Sequence, residues 1–537
     1  MLGKRTVAYF SSFMLIMLLT VLSVYTLSNG TKLAETADRQ STYRLTLAHT
    51  RGTIYDCNKN PLIGGEKQYV AAVVPSVEGT AALNKALPKS EMALVYPMLT
   101  KGKPFSLNLP DSSVSASGID VFSVDKRYLP NQTAAHVIGY LDGAGNGVMG
   151  IEKAFNTQLT ANQGAISVLY KVDAVDRVLA GESEKIENTY NLKNSGVVLT
   201  LDRQIQDIAE KAAQKYLKTG AVVITEVPNC QIRAMASVPT FSPTDVSAAL
   251  KSEDSPFVNR ALSAYNVGSV FKLVSAAAAL ENGISPNTQY TCNGVISVSG
   301  IGFRCFNGES HGKEDMKEAI AQSCNDYFVS IMQKVPQKKF LSMAESLGFG
   351  KETVLADGYS SDPGNLPTLE TLKMPRALAN FSFGQGDLLA TPLQINGMIN
   401  AIASKGVYKE PYLVEGLVDA NQNYTQKHAQ QKGNSVMSEN TAELLRSFMA
   451  ASVDHGTSKK GKPTVGGAGA KTGTAQTGIV KDGKEVIQAW FAGYYPQENP
   501  KYVITVLGEN GEGGGDTCAP VFKQITDELA KLEYGQN

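Results

Sequence analysis

Val267-Gly268-Ser269-Val270-Phe271-Lys272 runs directly into Leu273-Val274-Ser275-Ala276-Ala277-Ala278-Ala279-Leu280-Glu281, and the character of the chain turns on this stretch. The alanine run is a strong helix former, and Gly283 is its stop signal. Ser269 and Lys272 are three residues apart, so both point from one face of the first helical turn. The backbone N–H groups of that turn lack partners and carry the positive end of the helix dipole. A serine ester forming there would find donors for a developing oxyanion. Lys272 can take the hydroxyl proton only if burial or a second cation lowers its pKa. Val270, Phe271, Leu273 and Val274 supply an apolar setting for that. The spacing alone does not separate this reading from an ordinary helix-capping serine. Ser123–Lys126 and Ser310–Lys313 repeat it without opening a long apolar helix.

Outward from this helix the pattern is α+β. Upstream, the character changes near Leu199. Asp202 can cap a helix reaching Lys218, with Ile205, Ile208, Ala209, Ala212 and Ala213 at helical spacing. Thr219-Gly220 stops it. Ala221–Thr225 then reads as a strand, Pro228-Asn229 as a turn, and Gln231–Ser237 as the hairpin partner. Downstream, helices are predicted over 316–323, 326–334, 339–346 and 394–403. Val486–Tyr494 and Tyr502–Leu507 read as paired strands, Gly511–Gly515 as a loop, and Pro520–Leu532 as a closing helix. Helix followed by antiparallel strands marks a domain over 195–537.

Two more short elements lie in that domain. One is Ser323-Cys324-Asn325. The other is Lys471-Thr472-Gly473-Thr474, which follows the flexible Gly466-Gly467-Ala468-Gly469-Ala470 and precedes sheet-forming sequence. Gly473 removes a side chain where a peptide could lie along a strand. Each has a decoy, Ser438-Glu439-Asn440 and Lys218-Thr219-Gly220, so the ordered set in context carries the signal.

Ser269-x-x-Lys272, Ser323-x-Asn325 and Lys471-Thr472-Gly473, in that order, resemble the motif triad of penicillin-binding proteins and serine β-lactamases. Asn259-Arg260-Ala261, Gly384-Gln385-Gly386 with Thr391-Pro392-Leu393-Gln394, and Ala489-Trp490-Phe491-Ala492-Gly493 look like the same family. Arg51-Gly52-Thr53-Ile54-Tyr55-Asp56 and Gly147-Val148-Met149-Gly150-Ile151-Glu152 are similar to class B penicillin-binding proteins, monofunctional transpeptidases carried on a non-catalytic pedestal. The absence of an appended repeat domain after 537 looks more like the shorter penicillin-binding-protein-A-like type. The resemblance implies a central antiparallel sheet flanked by helices. It also implies a D,D-transpeptidase that cross-links peptidoglycan stem peptides ending in D-Ala-D-Ala and is acylated by β-lactam antibiotics.

Position by position, the resemblance makes Ser269 the nucleophile and Lys272 its base. Ser323 relays a proton to the leaving D-alanine, Lys471 tunes the site, and Asn325 binds substrate amide and holds Lys272. Thr472 and Thr474 hold the terminal carboxylate beside Lys471 and Gly473, and the N–H groups of Ser269 and Thr474 form the oxyanion hole. Cys324 reads as small and packed. The chemistry needs no cofactor. A D,D-carboxypeptidase or β-lactamase, with water as acceptor, and a non-catalytic recruiting or β-lactam-sensing protein are the alternatives. A lipid-linked glycan polymerase is the membrane partner that the resemblance implies.

At the other end, Lys4 and Arg5 precede Thr6–Thr31, a stretch without a charged residue whose centre, Met14–Leu19, is continuously apolar. About 20 such residues are needed to cross a bilayer as a helix. No A-x-A cleavage site follows, which favours an uncleaved anchor over a signal peptide. The basic pair before it and Glu35 and Asp38 after it place the N-terminus in the cytoplasm and the rest outside the cell membrane. The expected organisation is a short tail (1–5), an anchor (6–29), a strand-leaning pedestal (30–194) without a long amphipathic helix, and the domain over 195–537. Ser112–Ser117 and Gly181–Asn188 read as loops.

Of 537 residues, 50 are basic and 50 acidic, a balance that argues against a nucleic-acid partner. Gly145–Gly150 matches G-x-G-x-x-G formally, but no βαβ unit surrounds it, and the approach to Lys471 lacks the glycines of a P-loop. No G-x-S-x-G elbow exists for a Ser-His-Asp hydrolase. The five histidines form no cluster along the chain, His136 and His311 read as structural, and no metal is expected. Six cysteines contain no C-x-x-C. Cys292 and Cys305 flank one Gly/Ser-rich loop, and a disulfide or two unpaired thiols fit equally.

Overall fold

The computed structural model describes residues 2–190, 195–429, 431–481 and 483–534. They cluster into two compact units, one of Met1–Arg51, Gly65–Lys126 and Asn162–Asn194, the other of Gly52–Gly64, Arg127–Ala161 and Ser195–Asn537.

The smaller unit begins with one helix, Leu2–Gln40, of which Gly3–Lys32 is long and apolar enough to cross a membrane. The expected anchor, 6–29, falls inside it. Beyond the anchor, Thr42–His49 pairs with Ala165–Lys171, and Glu66–Val73 lies between Phe105–Leu109 and Ile119–Lys126. Two expectations are corrected. Residues 185–188 form an edge strand on Ala165–Lys171, although 181–188 read as a loop. Lys185 and Glu187 give that strand the charge that edges carry, which masks it as coil. The unit also holds the helices Val77–Ala86 and Lys89–Lys101. Ser76 caps the first by accepting from Gly79 N–H, and Gly102 ends the second in the left-handed region. Pro97 inside the second hides its helical period, because proline reads as a breaker. Both bury leucine, methionine and valine side chains with Ala71, Val73 and Leu109 of the strands.

The larger unit takes in 52–64 and 127–161, on the N-terminal side of the expected boundary at 195. The reason is a parallel pairing of Thr53–Tyr55 with Gly196–Leu199. Ile54, Leu62, Val137, Ile138 and Ile151 then share one buried cluster with Val197, Leu199, Val223 and Leu393. Glu152, fully buried, accepts from Arg127 Nε at 2.6 Å and Tyr128 Oη at 2.7 Å. A buried carboxylate held this way is costly to orphan, so this segment is locked to its neighbours.

Five antiparallel strands make the central sheet, in the order 232–238, 220–226, 502–509, 484–495, 469–481. Strand alternation gives it two buried faces. Trp490, Ala492 and Tyr494 join the core that contains the Ser269 helix. Phe491 and Tyr495 join the core under the helices Arg203–Tyr216 and Ala519–Tyr534. Asp202 caps the first of these through Gln204 and Ile205 N–H, as its sequence requires. The fold is therefore the expected α+β arrangement, and one of the two edge strands of its sheet carries Lys471.

Candidate active site

Three chain segments far apart in sequence converge beside that edge strand. The first is a 3-10 turn, Gly268–Phe271, that passes into the helix Lys272–Glu281. With three residues per turn, Ser269 and Lys272 eclipse one another more closely than on an α-helix. Gly268 is in the left-handed region (φ 66°), and a Cβ there would lie 2.7 Å from the Thr474 carbonyl oxygen. Only glycine allows the nucleophile turn to approach the strand so closely. Gly473 is the reciprocal case: a Cβ would meet Val270 Cγ2 at 2.9 Å and the Val267 carbonyl oxygen at 3.1 Å.

The second segment is Ser323-Cys324-Asn325, where Cys324 caps the helix Asn325–Met332. Ser323 has φ 61°, an uncommon conformation for a residue with a side chain. That backbone turn puts its hydroxyl between two amines. Lys272 Nζ lies 3.2 Å from Ser323 Oγ and Lys471 Nζ 2.8 Å from it. Lys272 Nζ also donates to Asn325 Oδ1 at 2.6 Å and to the Ser323 carbonyl oxygen. Asn325 is fixed in turn by Nδ2 donating to the Arg304 carbonyl oxygen at 2.6 Å.

Both lysines are fully buried. Burial brings the Lys272 amine down from 10.5 to about 8, against the opposing fields of Cys324, Cys305, Glu314 and Asp326. Lys471 is held well below its ordinary value, first by burial and then by the charge of Lys272. Two cationic groups sharing one hydroxyl in a dry site favour loss of a proton from the pair. A base is thereby made from residues that are normally acids.

The third segment is the edge strand itself. Lys471 pairs with Ala492, Gly473 with Trp490 and Thr474 with Ala489. Thr472 and Thr474, two apart, share one side of the strand. Thr457 Oγ1 lies 2.7 Å from Thr472 Oγ1 and orients it. Thr457 was not legible as a site residue, since Gly456-Thr457-Ser458 carries no motif. Its placement depends on Thr457 N–H bonding to the Ala321 carbonyl oxygen in a distant helix. The Lys272, Ser323, Asn325 and Lys471 side chains therefore meet directly, and the Gly268 and Gly473 contacts bring the turn that carries Ser269 against Thr472-Gly473-Thr474.

Of the two readings of Cys292 and Cys305, the structure has the unpaired thiols. Both are free thiols whose sulfurs stand 3.7 Å apart, well beyond the S–S bond of about 2.05 Å. Cys292 Sγ also lies 3.4 Å from His311 Nδ1, and Cys305 Sγ 3.8 Å from Cys324 Sγ.

The family model of the penicillin binding protein transpeptidase domain matches residues 220–527, more than half of the chain. Stage V sporulation protein D of Bacillus subtilis is 28% identical over 544 residues, covering 94% of this chain and 81% of that protein. Peptidoglycan D,D-transpeptidase PbpA of Mycolicibacterium smegmatis is 28% identical over 382 residues, 65% of this chain and 77% of that protein. Among solved structures, penicillin-binding protein PBP2 of Helicobacter pylori superposes with a TM-score of 0.71 at 24% identity, covering 92% of this chain and 100% of that one.

Proposed function

The chain belongs to the penicillin-binding protein transpeptidase family, and from that membership we propose a class B peptidoglycan D,D-transpeptidase working through a serine ester. The observation that carries the reading is Ser323 Oγ held between the Lys272 and Lys471 amines beside the Gly268–Phe271 turn.

In the first half-reaction Ser269 Oγ attacks the carbonyl carbon between the two D-alanines of a stem peptide. Its proton passes to Lys272. The oxyanion is met by the N–H groups of Ser269 and Thr474, whose backbones the Gly268 contact brings together. The C–N bond then breaks, and the Ser323 hydroxyl passes a proton to the departing D-alanine amine while Lys272 or Lys471 replaces it. In the second half, an acceptor amine attacks the ester carbonyl, gives up its proton along the same path and releases Ser269. The donor peptide lies along the open edge of the 469–481 strand, with its carboxylate at Thr472, Thr474 and Lys471. β-Lactams acylate Ser269 in the same way.

The apolar N-terminal helix anchors the chain, with the N-terminus cytoplasmic by the Lys4–Arg5 asymmetry and the catalytic unit outside. The remaining N-terminal region serves as a pedestal, and a lipid-linked glycan polymerase is its proposed membrane partner.

The test is intact mass of the full-length chain in detergent after incubation with benzylpenicillin, alongside Ser269→Ala. A one-to-one adduct on the wild type and none on the variant is expected. Hydrolysed drug without an adduct would replace the transpeptidase by a β-lactamase. Intact drug without an adduct would replace it by a non-catalytic protein.

A further inference from the structure

The nucleophile turn is bonded to a second neighbour besides the edge strand. Gly268 N–H donates to the Gly384 carbonyl oxygen at 2.8 Å, and a Cβ on Gly384 would lie 2.0 Å from the Gly268 carbonyl oxygen. Just upstream, the helix Pro375–Ser382 packs Phe381 on Phe271, with ring centroids 4.8 Å apart. The Ser323–Asn325 segment has its own neighbour, the inner of two nested ribbons that span 290–314. Tyr290–Cys292 pairs with Gly312–Glu314, and within that pair Val295–Val298 pairs with Ile301–Arg304. At the base of the inner ribbon the Arg304 carbonyl oxygen accepts from Asn325, and at its tip the Ser299 carbonyl oxygen accepts from Arg376 Nη2 at 2.7 Å. Val298 of the ribbon, Val329 of the 325–332 helix and Ala379 of the 375–382 helix share one buried cluster.

Between Ser299 and the 367–387 segment lies a cavity of about 350 Å³. That is the low end of the roughly 300–1,000 Å³ of ligand pockets, room for a short stretch of peptide. Met374, Pro375 and Phe381 give it an apolar lining, and four polar side chains line it with bonding capacity left over. Asn380 and Gln385 are half-buried and joined through the main chain, Gln385 N–H donating to the Asn380 carbonyl oxygen at 2.9 Å. No group among the described residues bonds their side-chain amides, which match the N–H and C=O of a peptide. Arg376 and Asp387 are exposed and enter no ion pair among the described residues. The lining therefore offers a guanidinium for a carboxylate, a carboxylate for an ammonium, and two amides.

We propose that this cavity holds the acceptor stem peptide during the second half-reaction, an inference that rests on the transpeptidase reading. Once the ester has formed, the donor still lies along the 469–481 strand, so the acceptor has to reach the same carbonyl from another wall. The walls of this cavity are bonded to both remaining segments, to the Ser269 turn through Gly384 and to Asn325 through the ribbon. An acceptor stem peptide is zwitterionic, with a C-terminal carboxylate and a protonated amine on one short chain, and the lining complements both charges. Arg376 takes the carboxylate, Asn380 and Gln385 take main-chain amides, and Asp387 draws the ammonium toward the ester. The ammonium loses one proton to solvent, and its neutral nitrogen attacks the ester carbonyl carbon. The second proton passes by Lys272 to Ser269 Oγ as the C–O bond of the ester breaks.

The experiment gives the full-length chain in detergent an N-acyl-D-alanyl thioester as donor and a synthetic stem tetrapeptide as acceptor. The tetrapeptide carries a free lysine or diaminopimelate amine and ends as an acid or as an amide. Mass spectrometry reads transferred and hydrolysed donor, each normalised to the fraction of chain that a fluorescent penicillin acylates. In Arg376→Gln and in Asp387→Asn the acceptor concentration at half-maximal transfer should rise at least about tenfold, the loss of one charge-assisted contact. Amidating the acceptor should cost the wild type the same factor and add nothing in Arg376→Gln. Lys373→Gln, which removes a neighbouring cation paired with Glu370, should match the wild type. Wild-type half-saturation in Arg376→Gln and Asp387→Asn overturns the acceptor site and leaves the transpeptidase reading standing. An amide used as well as the acid, or an equal loss in Lys373→Gln, does the same. A wild type that is never acylated, or that only hydrolyses the donor, overturns the transpeptidase reading and the acceptor site with it.

Discussion

The depressed basicity of Lys272 makes the rate of acylation a function of pH with a calculable limb. The amine carries its proton below its pKa and is a free base above it, and only the free base can take the Ser269 proton. Burial moves that pKa from 10.5 to about 8. At pH 7 the free fraction is then about one in ten instead of about one in 3,000, a gain of roughly 300-fold or about 3 kcal/mol. The groups facing the amine are Lys471 from the edge strand, Cys324 and Asp326 from the capped helix, and Cys305 and Glu314 from the 290–314 ribbons. Lys471 is depressed by burial and by Lys272, while the acidic groups oppose the fall of Lys272. The assay is the second-order rate constant for acylation of the full-length chain by a fluorescent penicillin, quenched and quantified on gels between pH 6 and 9.5. The expected profile rises nearly tenfold per pH unit at low pH, bends near 8 and is flat above. Lys272→Arg, which keeps the charge and cannot release it, should cost about 10²–10⁴ at every pH. A flat profile, a limb that continues rising past pH 9.5, or near-normal acylation by Lys272→Arg would refute the assignment of Lys272 as the base.

Three further outcomes follow from the geometry. Ser323→Ala deletes the hydroxyl shared by Lys272 and Lys471, so the acylation time course read by intact mass should slow by about 10²-fold or more; an unchanged course would remove Ser323 from the proton path. Gly473→Ala puts a Cβ 2.9 Å from Val270 Cγ2 and 3.1 Å from Trp490 Cβ. Overpacking should cost about 1–3 kcal/mol in thermal unfolding and slow acylation as well, and a Tm equal to wild type contradicts the close approach. His136 is buried with Nε2–H donating to the Pro256 carbonyl oxygen, and burial lowers its pKa from 6.5 to about 4. The unfolded chain therefore binds the extra proton, and stability is lost as pH falls from 6.5 toward 4, by at most about 3 kcal/mol. His136→Gln, which keeps a donor, should flatten that window in urea titrations, and an unchanged slope would clear His136.

How much of this was written locally in the chain follows from the range of each contact. The 203–216 helix, its Asp202 cap and the strand pairs 220–226 with 232–238 and 484–495 with 502–509 rest on neighbours in sequence, and their periodicity announces them. The parallel pairing of Thr53–Tyr55 with Gly196–Leu199 joins residues more than 140 positions apart, so no local pattern could assign 52–64 to the larger unit. Helix 89–101 was hidden for the opposite reason, because a local signal, Pro97, points away from the tertiary outcome.

The active site divides along the same line. Ser269, Lys272, Ser323, Asn325 and Lys471 sit in three short motifs because each motif is one tight backbone device: a 3-10 turn, a helix cap and an edge strand. What the motifs do not contain is the left-handed Ser323 or the Thr457 hydroxyl on Thr472. Cys292, Cys305, His311 and Cys324 lie close together because two ribbons and a helix cap bring them there, which no local pattern announces. The sequence made Cys324 a bystander between two catalytic residues. Its position gives it a structural part: buried next to the left-handed Ser323, Cys324 accepts the Tyr327 N–H and caps the following helix. A site whose reactive groups are buried amines and half-buried hydroxyls has little charge pairing of its own to fix it, and its precision has to come from the residues around it.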